Sequence, residues 1–141
     1  KLGCLSIDID GNEYWMLNKI LSEKIIPEVI ITEYNASFLD HEITVPYDKN
    51  FNIHKKHESL WYHGASLAAF NKLLTKYQYS LIKVIGGTNA IFVQEDLLKK
   101  TSLKKYLPSE IYQECESRNI TGNNTAKDQF EKIKHLPLVN V

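Results

Sequence analysis

Asp8, Asp10, Glu33 and Asn35 are of types, and at places, that can do chemistry. Asp8 and Asp10 flank Ile9 in the run Leu5-Ser6-Ile7-Asp8-Ile9-Asp10-Gly11-Asn12-Glu13, and a second apolar run, Val29-Ile30-Ile31-Thr32, ends in Glu33-Tyr34-Asn35. Carboxylates so placed can take a proton from a hydroxyl, steer a polar substrate or ligate a hard cation that prefers oxygen. Open α/β sheets bind ligands beyond the carboxyl ends of their strands. Two neighbouring strands ending in acids and an amide therefore predict one polar cleft.

The elements that must position these groups follow from apolar spacing. Residues 2–9 read as a buried strand, and Asn12 is placed to cap a helix over 13–23. Tyr14, Leu17 and Leu21, flanked by Trp15 and Ile20, give that helix its apolar face. After Pro27, residues 28–34 read as a second buried strand, which makes the pair a parallel right-handed crossover. Residues 35–63 have no clean period and carry Pro46 and four of the five histidines, so 35–66 reads as a lid or acceptor-binding loop. Residues 65–77 form a helix with Leu67, Phe70, Leu73, Leu74 and Tyr77 on one side. Strands at 79–85 and 90–94 pair as a hairpin through Gly86-Gly87-Thr88-Asn89. The α/β domain thus spans 1–98. A polar extension, helical in pieces, spans 99–141, with a helix start at Pro108-Ser109-Glu110 and a flexible connection over 118–125. The first strand begins near residue 3, and a buried parallel strand needs neighbours, so an upstream portion is expected.

Composition narrows the partners. The chain has 141 residues, 43% hydrophobic, enough for one core, and its 17 basic and 17 acidic residues cancel. Nucleic-acid binding normally needs a basic excess, so no nucleic-acid partner is expected. The lysines around 99–105 then read as a solvated face. No apolar run approaches the ~20 residues of a membrane span, and no signal peptide is visible. Cys4, in an apolar run, reads as a buried free thiol, and with Cys115 it makes no disulfide framework. A reducing, cytoplasmic setting is the expectation. The glycosylation-type triplets at 35–37, 119–121 and 123–125 are what chance gives in an Asn-rich chain.

Ile7-Asp8-Ile9-Asp10-Gly11-Asn12-Glu13, Pro27 to Asn35, Tyr79-Ser80-Leu81 and Asn89-Ala90-Ile91-Phe92-Val93 together resemble the second half of FkbM-like methyltransferases. The resemblance covers residues 3–95 and rests on the order and spacing of these pieces. It implies a class I, S-adenosylmethionine-dependent enzyme that methylates a hydroxyl of a glycan or small metabolite. The implied fold is the second half of a Rossmann-like sheet, parallel strands finished by an antiparallel C-terminal hairpin. Asp8 would then lie beside the methyl donor, with Asp10 or Asp8 as general base and Glu33 and Asn35 positioning the acceptor. Catechol-type methyltransferases hold magnesium with acids and an amide at these strand ends. Asp8, Glu33 and Asn35 match that set by type, although Tyr34 separates two ligands that are usually adjacent. The family's glycine-rich cofactor turn and ribose-binding acid have no counterpart here. Gly86-Gly87 sits in a hairpin and cannot replace them.

Other readings compete. A non-catalytic binding or assembly module needs no cofactor turn at all. Asp8-x-Asp10-Gly11 also resembles the nucleophile motif of haloacid-dehalogenase-like phosphatases, but residues 86–89 lack the acids that family's magnesium site requires. A calcium loop would need Gly at Glu13 and Glu at Lys19. His54, His57 and His63 have no companion cysteine, which favours a solvated loop over zinc. Tyr62, His63 and Ser66, in Trp61-Tyr62-His63-Gly64-Ala65-Ser66, lead into a helix N-terminus and are candidates for acceptor binding. The blander roles are a tight turn at Gly64 and a helix cap at Ser66. For the acids, the blander roles are a cap at Asp10 and a lysine partner for Glu33. The aromatics near Val45-Pro46-Tyr47-Asp48 could stack on a sugar or simply pack the loop down.

Overall fold

A computed structural model describes residues 2–141. The elements in chain order are β1 (Cys4–Ile7), α1 (Glu13–Ser22), β2 (Val29–Glu33), a 3₁₀ turn (Ala36–Phe38), β3 (Ile43–Thr44), α2 (Ile53–Lys56), α3 (Leu67–Lys76), β4 (Tyr79–Ile85), β5 (Asn89–Gln94), α4 (Glu95–Leu98), α5 (Pro108–Ile111), α6 (Glu116–Gly122), α7 (Ala126–Ile133) and β6 (Val139–Asn140). The protein is α/β, with a mixed sheet in the order β1-β2-β5-β4 and a small antiparallel sheet of β3 and β6. β1 and β2 run parallel, while β5 lies between β2 and β4 and is antiparallel to both.

The apolar spacing read from the sequence is what packs this sheet. Tyr14, Leu17 and Leu21 of α1 and Leu67, Phe70, Leu73 and Leu74 of α3 are buried in one core with Ile7, Ile30, Leu81 and Phe92 from the strands. Residues of the 35–66 stretch build a second core, in which Phe38, Ile43, Val45 and Tyr62 enclose Ile133 of α7.

Three expectations change in structural detail. Cys4 is exposed, because β1 pairs only with β2 among the described strands. Asn12 stands at the head of α1 without capping it, since its side-chain amide donates to the Asp48 carbonyl at 2.8 Å. Residues 116–122 are helical, closed by Asn123 in the left-handed region, so the expected flexible connection is largely α6. The 35–66 stretch, the expected lid or acceptor-binding loop, is packed down on the domain. Trp15 donates its indole N–H to the Val45 carbonyl at 2.9 Å, and β3 is paired by β6 from the far end of the chain.

Ile133 is fully buried in the second core. Ile133→Ala is expected to cost about 2–5 kcal/mol, the range for a buried aliphatic truncation. Urea unfolding monitored by far-UV circular dichroism measures it. A change within about 0.5 kcal/mol would mean that residues 126–133 are not part of the folded core.

Candidate functional site

β1 and β2 are parallel and in register, with Ile7 opposite Thr32, so the chain leaves both at the same edge of the sheet. This places Asp8 and Glu33 side by side. The turn after β1 is shaped by Asp10, whose φ of 56° is left-handed, and by the fully buried Glu13 at the first turn of α1. The Glu13 carboxylate accepts from the Ile9 N–H at 3.0 Å and from the Gly11 N–H at 2.9 Å. The backbone of Gly64 donates to the Gly11 carbonyl at 3.2 Å, tying the aromatic turn at 61–64 onto the same loop. Asp8, Glu13 and Glu33 consequently bring carboxylate oxygens within 4.8 Å of one another.

Asn35 arranges the opposite wall. Its side-chain amide donates to the carbonyls of Trp61 at 2.6 Å and His63 at 2.8 Å. Its oxygen accepts from the Ser37 N–H at 3.0 Å and from Arg118 at 2.9 Å. Arg118, the chain's only arginine against sixteen lysines, comes from α6. It also donates to the Ser37 hydroxyl at 3.0 Å and lies 3.3 Å from Nε2 of His63. A guanidinium only donates hydrogen bonds, so Nε2 of His63 is the acceptor and the ring proton sits on Nδ1. That nitrogen is 4.0 Å from Oε2 of Glu33, and neither atom has a hydrogen-bond partner.

Asp10, Glu33, His63, Arg118 and Trp61 line one cleft of about 430 Å³ at this edge. Of the residues singled out in the sequence, Asp10, Glu33 and His63 line this cleft, and Asp8 meets Glu33 at the same sheet edge. The other three serve the scaffold. Asn35 has its amide fully engaged and offers no free oxygen to a metal. The Tyr62 hydroxyl donates to the Pro137 carbonyl. Ser66 is buried and caps α3, accepting from the Ala69 N–H at 3.0 Å. Glu33 has His63 as its neighbour rather than a lysine. Gly86 and Gly87 turn the β4–β5 hairpin with φ of 63° and 68°, and a Cβ at Gly87 would overlap the Glu114 carbonyl. The hairpin turn therefore brings neither acid nor glycine-rich cradle to the cleft.

Electrostatics sets the protonation states. Burial, reinforced by the charges of Asp8, Glu13 and Asp10, pushes Glu33 up to about 8, with Arg118 opposing. Burial also raises Glu13 against the lowering effect of its N–H donors. Burial and then Arg118 depress His63 to about 3, so its ring is neutral at physiological pH.

No family model, curated protein or solved structure matches the chain. No helix among the described residues is long and apolar enough to cross a membrane.

His63 and Glu33 as a pair set part of the pH profile of stability in buffer free of divalent ions, and the raised Glu13 adds a fall of its own above 4.5. His63 is depressed from its ordinary 6.5 to about 3, so its contribution is lost as pH falls below 6.5. Glu33 is raised from 4.5 to about 8, so its contribution is lost as pH rises from 4.5 toward 8. Between 4.5 and 6.5 the two changes cancel. Outside that plateau the pair contributes slopes of up to about 1.4 kcal/mol per pH unit. Denaturant midpoints across pH 4–9 should fall most steeply between 6.5 and 8, where His63 no longer offsets Glu33. Glu33→Gln should flatten the alkaline limb, and an unchanged limb would refute the assignment.

Proposed function

We propose that this chain carries the acceptor-side half of an S-adenosylmethionine-dependent O-methyltransferase acting on a hydroxyl of a glycan or small metabolite. The observation that carries the reading is the meeting of Asp8 and Glu33 at the carboxyl ends of adjacent parallel strands, beside a cleft that Asp10 also lines. The parallel β1–β2 pair finished by the antiparallel β4–β5 hairpin supports it as the second half of a Rossmann-like sheet. Among the described residues nothing forms a glycine-rich cradle for the adenosyl part. What this chain offers the cofactor is negative charge at Asp8, which suits a sulfonium.

The bound cofactor supplies an electrophilic methyl group. The acceptor oxygen must lose its proton as it takes that methyl. Asp10, exposed in the cleft, is placed to receive the proton, a role that typically contributes 10²–10⁴-fold in rate. Glu33, which lines the same cleft, is placed to position the acceptor. The turn at 61–64, clamped by Asn35, walls the cleft with Trp61. A second reading is a methyltransferase-like binding or assembly module without catalysis, which the natural protein would favour only if no upstream segment supplies that cradle.

Calorimetric titration of S-adenosylhomocysteine into the full-length natural protein separates the two. Saturable binding that Asp8→Ala weakens is the expected result. A folded protein that binds none would overturn the enzyme reading and leave the module. With an acceptor in hand, Asp10→Asn should lower kcat by roughly 10²-fold or more while leaving cofactor binding intact.

A further inference from the structure

Asp8, Glu13 and Glu33 are gathered more closely than their charges favour. Their oxygens lie within 4.8 Å of one another, and no lysine or arginine among the described residues forms an ion pair with any of them. Glu13 cannot swing away, because its carboxylate is clasped by the N–H groups of Ile9 and Gly11. Gly64 closes in behind it, where a Cβ would stand 3.3 Å from Oε2. Asp8 is exposed and leaves the cluster open on one side.

A second feature points into the same cluster independently. The His63 side chain is 2% exposed, and its Nδ1 has no partner and faces Oε2 of Glu33, itself unpartnered, at 4.0 Å. Because Arg118 occupies Nε2, Nδ1 bears the proton and cannot ligate a metal. It can donate to one oxygen of Glu33 while the other turns to an ion, as outer-shell partners of metal-bound carboxylates do.

We propose that Asp8, Glu13 and Glu33 form a binding site for one divalent cation of the hard, oxygen-seeking class, with His63 as the residue that positions Glu33. Three carboxylates without sulfur or free imidazole are the ligand type that suits magnesium, manganese or calcium. This ligand set replaces the amide of Asn35 with the buried carboxylate of Glu13, since the Asn35 oxygen is already taken by Ser37 and Arg118. If the methyl-transfer reading holds, an ion here would help draw the acceptor hydroxyl toward its alkoxide form. The site does not depend on that reading, because the ion can be titrated alone.

The test is titration of the full-length protein with Mn²⁺, following the free-ion signal by electron paramagnetic resonance. One equivalent should bind, and Mg²⁺ should compete it away. Asp8→Asn and Glu33→Gln should each weaken binding about tenfold or more, while Glu23→Gln, at the far end of α1, leaves it unchanged. His63→Ala should weaken binding about tenfold, and His63→Asn, which keeps an N–H donor near the Nδ1 position, should largely restore it. A merely structural histidine would not separate those two variants. Circular dichroism of each variant excludes loss of fold as the cause. Absence of stoichiometric Mn²⁺ binding at millimolar ion, or binding indifferent to both Asp8→Asn and Glu33→Gln, overturns the proposal. Neither result bears on S-adenosylhomocysteine binding, so the two proposals fail separately.

Discussion

One buried amide joins the parts of this molecule that meet at the cleft. Asn35 leaves the end of β2 and uses its two donors on the 61–63 backbone and its oxygen on Ser37 and Arg118. Those bonds fix the turn that carries His63, the 3₁₀ turn after β2 and the helix that supplies the only arginine. In a low-dielectric interior, each bond made is stronger than in water, and each left unmade is costly. The network continues through the Ser37 hydroxyl to Gln129, whose amide reaches Asn119 and Asn124 at 2.8 Å. Residues far apart in the chain are therefore held in one register by polar groups that have few other partners.

The same arrangement explains the charge pattern of the cleft. Arg118 is held only by neutral acceptors among the described residues, so its charge stays available to the cleft as a whole. Burial keeps the His63 ring neutral and Arg118 adds to that effect, whereas on Glu33 the same charge only tempers burial. A lysine would not serve equally: it lacks the planar fork that reaches Asn35 and Ser37 with one nitrogen and His63 with another.

The sheet and its flanking helices were legible because each depends on local apolar spacing. The buried faces of α1 and α3 are the residues read from a helical period, and the hairpin followed from Gly86-Gly87 between two apolar runs. Asp8, Asp10 and Glu33 were legible as strand-end acids. Glu13 and Arg118 were missed for different reasons. A Glu at the first turn of a helix is ordinary on the surface, and only the closing of the 61–64 turn over it makes it buried. Arg118 lies in a polar segment with no strong period, and its destination depends on a contact spanning 83 residues. Its one signal was being the sole arginine in a lysine-rich chain. Asn35, Tyr62 and Ser66 are substrate candidates in sequence, with a helix cap as Ser66's other role, because polar residues near a cleft look alike whether they face a ligand or the backbone.

The position of β5 bears on how the molecule is assembled. It is the last strand of the main sheet along the chain, yet it lies inside it, with Val29 to Glu33 on one side and Tyr79 to Ile85 on the other. β2 therefore waits through more than fifty intervening residues for the neighbour that completes its ladder. The hairpin of β4 and β5 can zip locally, but its docking onto β2 is a long-range closure of the kind that slows folding. Arg118 reaches Asn35 later still along a growing chain. The cleft is thus among the last features to be completed, and until then the open edge of β2 is the surface on which a nascent chain is most exposed to mispairing.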